Sequence, residues 1–350
     1  MLDVAVIGGG IGGQHINGYA QLSERFRVTA VCDLNQDLAR NLAAQSGGRS
    51  TADIDDVLAD PDIDIVDICL PPAMHVPVAT RVLEAGKHAI VEKPVAGSLV
   101  EADQLVAAAA RSRGNVFPVF QYRYGKAFDQ LAALRAAGVT GRPLSATIET
   151  HWSRDKRYYA NLWRGSWDHE LGGAVLIHAI HAHDLLTQHF GAVAEVAAVL
   201  TTNANPVETE DCAAISLRMV NGALVTSSIT LGAATDTTRM RLVYEHLTAE
   251  SGTAPYAPGT DDWHFTARNC DRQAEINAIL QDVPDGLTGF VGYFDAIADA
   301  LEGHPGREVT LADGLASIEL VSAIYHSDRS SKRVSLPVDR SLRIATSLRP

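Results

Sequence analysis

The chain has 350 residues, more than most single domains hold, so two domains with separate cores are expected. Its 46% apolar and 20% charged residues suit an ordinary globular protein, and a net charge of -13 argues against nucleic acid as a partner. No basic amphipathic stretch occurs, and no apolar run nears the ~20 residues that span a bilayer, so neither a membrane partner nor a location outside the cytoplasm is expected. Cys32, Cys69, Cys212 and Cys270 are far apart with no CxxC spacing, which fits free thiols in a reducing compartment.

The first element, "DVAVIGGGIGGQH", is an apolar run followed by glycines and a helix start. Gly8, Gly10 and Gly13 fit G-x-G-x-x-G, and a second strand, "RVTAVCD", ends in Asp33, 20 residues beyond Gly13. Such a turn suits a dinucleotide: Gly8 for a tight turn, Gly10 for close approach to the pyrophosphate, Gly13 for close packing of helix on strand. Gly8, Gly10, Ile11, Gly12 and Gly13 are thus cofactor-binding candidates at a helix N-terminus, where free N–H groups meet the phosphates. The Asp33 carboxylate suits a ribose 2′-hydroxyl and would repel a 2′-phosphate, and Leu34, Asn35 and Gln36 offer no cation. NAD is therefore expected over NADP, with Arg40 the one cation that could reach round.

Alternation of strand and helix continues. "DIDIVDICLPP" reads as a buried strand, with a helix from 77 to 85 after it. "HAIVEKP" is the next strand, a helix runs from about 100 to 113, and "NVFPVFQYRY" follows. This spacing predicts a doubly wound parallel sheet over 1–124, with ligands bound beyond the strands' carboxyl ends. Leu70, Pro71, Pro72, His75, Glu92, Lys93 and Arg123 join the cofactor-binding candidates, and Tyr122 is placed near the substrate.

From 125 to 350 the pattern changes. A helix near 128–136 precedes runs of period-two alternation, "RPLSATIETHW", "AEVAAVLTT", "DCAAISLRM", "ALVTSSITL" and "MRLVYEHL", which predict an antiparallel sheet in an α+β domain. An open face on that sheet would suit pairing of subunits. Helices are expected near 291–301 and 315–325, the last packing back on the first domain.

Lys93 follows a buried strand directly. An ammonium there could hold the charge of a developing alkoxide, or simply pair with Glu92. Taken together, "GGGIGGQH", "LPPAMH", "EKP" at 92–94 and "GGAVLIHAIHAHD" at 172–184 resemble the Gfo/Idh/MocA oxidoreductases, the glucose–fructose oxidoreductase and inositol dehydrogenase group. The resemblance covers nearly the whole chain. It implies a Rossmann domain followed by an α+β domain with a large, mostly antiparallel sheet that mediates homodimers or homotetramers. It also implies NAD(P) and a sugar or cyclitol substrate, with Lys93 as the lysine of the EKP motif and His181 as general acid/base. Relatives commonly carry Asp or Asn a turn before that histidine. Here Ile177 and His178 stand there, so either His178 takes the third catalytic role or that role is absent.

If 172–184 enters one helix through a flexible Gly172-Gly173 pair, His178 and His181 lie ~60° apart and Asp184 ~60° further round, while His183 faces away. Two histidines without a third ligand do not make a metal site, so none is expected. His183 and His189 read as core residues, and Asp184 could orient His181. Trp163, Arg164 and Trp167 in "RDKRYYANLWRGSW" are substrate candidates, since aromatic faces and cationic donors suit a polyhydroxylated ring, although a loop covering the core is equally consistent. The stretch "DDWHF" at 261–265 is a weaker candidate of the same kind. The function expected is oxidation or reduction of a secondary hydroxyl on a sugar, cyclitol or derivative. The alternatives are an NAD-dependent glycosidase using transient oxidation and a non-catalytic NAD-binding regulator.

Overall fold

Short runs of β-branched residues and alanine, covered on both faces by helices, build the first sheet; the computed structural model describes residues 1–161 and 163–350. In chain order the elements are β1 (Leu2–Ile7), α1 (Gly9–Ala20), β2 (Phe26–Cys32), α2 (Gln36–Ser46), β3 (Arg49–Thr51), α3 (Ile54–Leu58), β4 (Ile65–Ile68), α4 (His75–Glu84), β5 (His88–Val91), α5 (Leu99–Ala109) and β6 (Val116–Pro118). All pairs are parallel, in the order β3-β2-β1-β4-β5-β6. This is the Rossmann order, with its reversal between β1 and β4. Central strands are apolar on both faces because helices cover both; Val4, Val6, Ile65, Val66 and Ile90 are fully buried. Side-chain caps start α2 and α5: Asn35 accepts from the Leu38 N–H, and Ser98 from the Glu101 N–H.

The chain continues with α6 (Lys126–Ala136), β7 (Pro143–Ser153), α7 (Ala174–Ile177), α8 (Ile180–Phe190), β8 (Val193–Thr201), β9 (Cys212–Met219), β10 (Leu224–Thr230), β11 (Gly232–Tyr244), β12 (Leu247–Glu250), β13 (His264–Ala267), α9 (Gln273–Asp282), α10 (Gly289–Leu301), α11 (Leu311–Ser330) and β14 (Val334–Ser335). Eight strands form the second sheet in the order β13-β12-β11-β7-β10-β9-β8-β14. It is antiparallel except where β10 runs parallel to β7, a pairing that alternation along each strand cannot reveal. Along β9 and β10 every second residue is buried, and the other face is open, with Val199 67% and Leu224 54% exposed.

Backbone contacts divide the chain into two units. The first is Met1–Phe120 with Phe290–Ile318; the second is Gln121–Gly289 with Glu319–Pro350. Residues 121–124, read from sequence as the end of the first domain, fall in the second unit. Of the last two helices, α10 lies in the first sheet's unit from Phe290 on; its Phe294 stacks on Tyr19 at 3.9 Å and its Tyr293 hydroxyl donates to the Phe117 carbonyl. The final helix, α11, runs across the division.

The single helix expected over 174–184 is two. The Ala179 N–H reaches five residues back to the Ala174 carbonyl at 2.9 Å, a wide turn that ends α7 at His178 before α8 begins. Nor is the Gly172-Gly173 pair there for flexibility. A Cβ on Gly173 would lie 2.0 Å from the Glu210 carbonyl oxygen, and one on Gly172 would lie 2.8 Å from Leu176, so both positions are filled to the backbone.

Candidate active site

In the first unit the glycine turn is shaped for a ligand. Gly8 caps α1 at φ +98°, and a Cβ there would lie 2.4 Å from the Cys69 carbonyl oxygen. Gly10 is exposed, and a Cβ on it would meet nothing within 4 Å, so the backbone opens outward at the helix start; Ile11 beside it is half-buried. The close approach of helix to strand belongs to Gly12, whose Cβ would sit 2.9 Å from Val6, rather than to Gly13, whose Cβ would make ordinary contact with Leu42 at 3.5 Å. Gly12 sits on the face of α1 turned to the sheet. No acidic residue occupies the first turn of α1 to compete with an anion for its N–H groups.

Asp33 stands just past β2. Its two oxygens accept from the Gly9 N–H at 2.6 Å and the Asn35 N–H at 2.7 Å, which fixes the carboxylate at the rim of the glycine turn. Arg40 donates to the Asp37 carboxylate. A buried-strand end, an open helix N-terminus and a fixed acid together fit a dinucleotide's pyrophosphate and ribose.

The turns after β4 and β5 are tied together. Leu70 is half-buried, Pro71 exposed and Pro72 buried. His75, expected to touch the cofactor, is 0% exposed; its ring nitrogens lie 2.7 Å from the Pro94 and Leu70 carbonyls, so it acts by holding these turns. Burial lowers its pKa. Glu92 is buried and accepts the Lys93 backbone N–H at 3.0 Å, while Lys93 itself is half-buried ahead of a cis peptide to Pro94.

Beneath them lies a network that the sequence reading missed. His15 on α1 stands 2.8 Å from Asp67 and 3.2 Å from Glu92, and the Tyr19 hydroxyl donates to Asp67 at 2.8 Å. With a carboxylate at each nitrogen, both ring N–H groups donate and the imidazole is charged. Burial works against that charge, but Asp67, aided by Cys69 beside it, outweighs it and raises the pKa well above the histidine norm. A histidine six residues into a helix, followed by Tyr19 one turn on, was the available signal.

In the second unit, the turn Gln121–Arg123 grips α8 at two points. The Tyr122 ring stacks on His181 with centroids 4.2 Å apart, and the Arg123 guanidinium donates to both Asp184 oxygens at 2.7 and 2.5 Å. Adjacent residues on the turn thereby meet residues three apart on the helix. Asp184, expected to orient His181, has its carboxylate paired with Arg123.

His178 faces the loop after β7. Its Nε2 lies 3.0 Å from the Tyr158 hydroxyl, to which Arg164 also donates. The Arg164 guanidinium lies 4.1 Å over Tyr158 and 4.2 Å over Trp163 and pairs with Glu170 at 3.3 Å. Trp152, Arg154, Asp236 and Tyr256 extend this aromatic and ionic cluster, which sequence spacing did not indicate. Trp167 stands apart: its indole N–H donates to the Glu208 carbonyl at 3.0 Å, and its ring meets Tyr325. Trp263 is a core residue, its indole N–H satisfied by the Pro258 carbonyl and its ring against Phe128. His183 bonds Ser227 at 3.0 Å, and His189 stacks on Phe128. Burial pushes these two histidines down, to about 4 and about 3.

A parallel sheet in Rossmann order with this glycine turn and terminal carboxylate defines a dinucleotide-binding protein, and the second unit brings the His181 ring stacked on Tyr122 and the His178 ring bonded to an aromatic and cationic loop. Comparison with known proteins narrows the class. Residues 2–120 match the model of the oxidoreductase family with NAD-binding Rossmann fold, and residues 128–250 match the GFO/IDH/MocA C-terminal domain. The chain belongs to the Gfo/Idh/MocA oxidoreductase family, and its cofactor is NAD. An uncharacterized oxidoreductase of Synechocystis is 30% identical over 241 residues, 63% of each protein. Levoglucosan dehydrogenase of Pseudarthrobacter phenanthrenivorans is 32% identical over 212 residues, 57% of this chain and 54% of the relative. These matches span less than two thirds of either relative's length. Over nearly full length the fold matches the WlbA dehydrogenase of Bordetella pertussis, solved with NADH and UDP-GlcNAcA, at 28% identity and a TM-score of 0.84, covering 97% of this chain and 98% of that one. Among the described residues no helix is long and apolar enough to cross a membrane.

Proposed function

We propose that the protein is an NAD-dependent dehydrogenase that oxidises, or in reverse forms, a secondary hydroxyl of a sugar, cyclitol or sugar derivative. The observation that carries this reading is the double grip on α8, which fixes the His181 ring against Tyr122 beside the Arg123–Asp184 pair. A general base needs such a fixed orientation. The names of levoglucosan dehydrogenase and of the WlbA complex with a nucleotide sugar support a carbohydrate-type substrate.

The first unit binds NAD through Gly8 to Gly13 and Asp33, and the second unit binds the substrate. Bound NAD supplies the hydride acceptor. His181 takes the hydroxyl proton, and the Lys93 ammonium balances the negative charge that develops on the oxygen. In the reverse direction His181 returns the proton. Tyr122, Trp163 and Arg164 contact the substrate, with His178 holding the loop through Tyr158, while Trp167 and Asp184 act from behind through Glu208 and Arg123. The open face of the eight-stranded sheet pairs subunits, which light scattering of the purified protein tests directly.

An absorbance screen for NADH with inositols, aldoses, anhydrosugars and glycosides, run with NAD and with NADP, tests the activity. Stoichiometric NADH release would separate a dehydrogenase from a glycosidase that regenerates its cofactor. His181→Ala should lower turnover roughly 10²–10⁴-fold with NAD affinity retained; near-normal turnover would sink the assignment.

A further inference from the structure

The segment that carries His178 and His181 starts from an unusual cap. Its first turn offers free N–H groups at Gly173, Ala174 and Val175, and one residue from outside the helix takes all three. The Glu210 carboxylate accepts from Gly173 at 3.1 Å through Oε2 and from Val175 at 2.9 Å through Oε1, while the Glu210 backbone carbonyl accepts from Ala174 at 2.8 Å. Glu210 lies just before β9, 37 residues from Gly173. The same Oε2 accepts the Tyr325 hydroxyl from α11 at 2.7 Å, and that hydroxyl stands 3.1 Å from the Gly173 nitrogen. Both glycines pack closely on the clamp: a Cβ on Gly173 would fall within 2.0 Å of the Glu210 carbonyl oxygen, and one on Gly172 within 2.9 Å of the Tyr325 hydroxyl.

Such a site costs something to maintain. Glu210 is buried, and removal from water pushes its carboxyl up to about 7 although the Tyr325 hydroxyl and the Val175 and Gly173 amides favour the charged form. Arg329, one turn along α11 from Tyr325, is the cation that faces the cluster, its guanidinium 5.4 Å over the Tyr325 ring. From the start of α7 the Gly173 and Val175 backbone N–H groups meet the carboxylate. What the clamp fixes is the first turn of α7. The wide turn through Ala174 to Ala179 then sets where His178 stands and where α8 begins, at Ile180, one residue before His181.

We infer that Glu210, with Tyr325, is a positioning residue that sets the placement of His178 and His181 by clamping the start of α7. This rests on the reading of His181 as the acid/base group. The role is distinct from general stability because the clamp holds one short turn, not the sheet below it.

Glu210→Gln keeps the shape but replaces one acceptor oxygen by a donor, so either the Gly173 or the Val175 N–H faces the wrong group. Tyr325→Phe removes only the hydroxyl and is the milder probe. Amide hydrogen exchange resolved to 173–181 should accelerate at least tenfold in Glu210→Gln and less in Tyr325→Phe, with the β9 and β10 amides unchanged. With the polyol that gives the highest wild-type rate in the screen above, kcat should fall at least tenfold in Glu210→Gln while the NAD dissociation constant stays within twofold. Unchanged exchange at 173–181 would overturn the clamp, and faster exchange with unchanged kcat would overturn its positioning role. Should the wild type turn over no polyol, the functional reading fails, and the exchange result alone decides the clamp.

Discussion

Replacing His189 by leucine is expected to stabilise the protein and to blunt its sensitivity to acid. The ring is buried against Phe128, and neither of its nitrogens has a hydrogen-bond partner among the described residues. Two costs follow. At pH 7.5 the neutral ring carries unsatisfied polar atoms, and leucine of similar size should recover about 1–2 kcal/mol. Below that pH the unfolded chain binds a proton near 6.5, whereas the folded one resists it, because burial first and then the nearby Arg135 and Arg123 charges push the ring down to about 3. A base with a depressed folded pKa contributes stability above 6.5 that is lost as pH falls toward 3. At pH 5 the loss is about 2 kcal/mol, from 1.4 kcal/mol per pH unit below 6.5. Its place in the last turn of α8 favours the charged ring by at most ~1 kcal/mol, less than burial takes away. Urea unfolding followed by tryptophan fluorescence suits the test, because Trp152, Trp163, Trp167 and Trp263 all lie in the second unit, and Trp263 packs on the same Phe128. The wild type should lose about 2 kcal/mol more than His189→Leu between pH 7.5 and 5.0. Equal losses in the two proteins would refute the account.

Arg123→Ala should cost about 3–5 kcal/mol in the same assay, because it leaves the Asp184 carboxylate buried without its bidentate partner; a loss below 1 kcal/mol would show that the pair is easily replaced. His15→Gln removes the cation shared by buried Asp67 and Glu92, and denaturation should register a loss of several kcal/mol, roughly the cost of breaking a buried pair. Since the His15 pKa is raised, that stabilisation is complete below pH 6.5 and fades as pH climbs through the raised value, so the gap between variant and wild type should narrow in alkali. Asp33→Ser should weaken NAD binding about tenfold and narrow the preference over NADP, measured as two dissociation constants; an unchanged ratio would remove Asp33 from cofactor choice.

The first unit was legible because its signals are local. A glycine turn, the acid 20 residues on and apolar runs of strand length all lie within short windows, and each window's geometry follows from its own residues. Even there, the division of labour among Gly8, Gly10, Gly12 and Gly13 needed the sheet beneath them. The second unit was legible only as a class. Alternation shows a strand's faces but not its neighbour's direction, so the parallel β7–β10 pair could not be read. The partners that shape the histidine segment come from far along the chain: Glu210 lies 37 residues and Tyr325 lies 152 residues from Gly173. No window that reads helical period can see them, and a uniform 100° per residue therefore carried the angular argument straight through a break at His178. The loop after β7 was hidden for the same reason, since Tyr158 gains its meaning from His178 and Arg164 rather than from its neighbours.

Burial does not tell the four histidines of this segment apart, since His178, His181, His183 and His189 are all nearly enclosed. What separates them is the surface each meets. His183 meets a serine of β10 and His189 a phenylalanine of α6, partners that favour a neutral ring and use no proton transfer. His181 lies flat on Tyr122, a contact made by a ring face, so the stack holds the imidazole plane without taking either nitrogen as a hydrogen-bond partner. His178 meets the hydroxyl of a tyrosine that is itself engaged by Arg164, and so couples the helix start to a loop rich in aromatic and cationic groups. A face-on contact restrains orientation while leaving proton exchange at the ring edge to other partners, and an edge-on hydrogen bond does the reverse. The same residue type therefore splits into a proposed proton carrier, an anchor and two core residues within 12 positions, and the division follows from which edge or face the neighbouring elements engage.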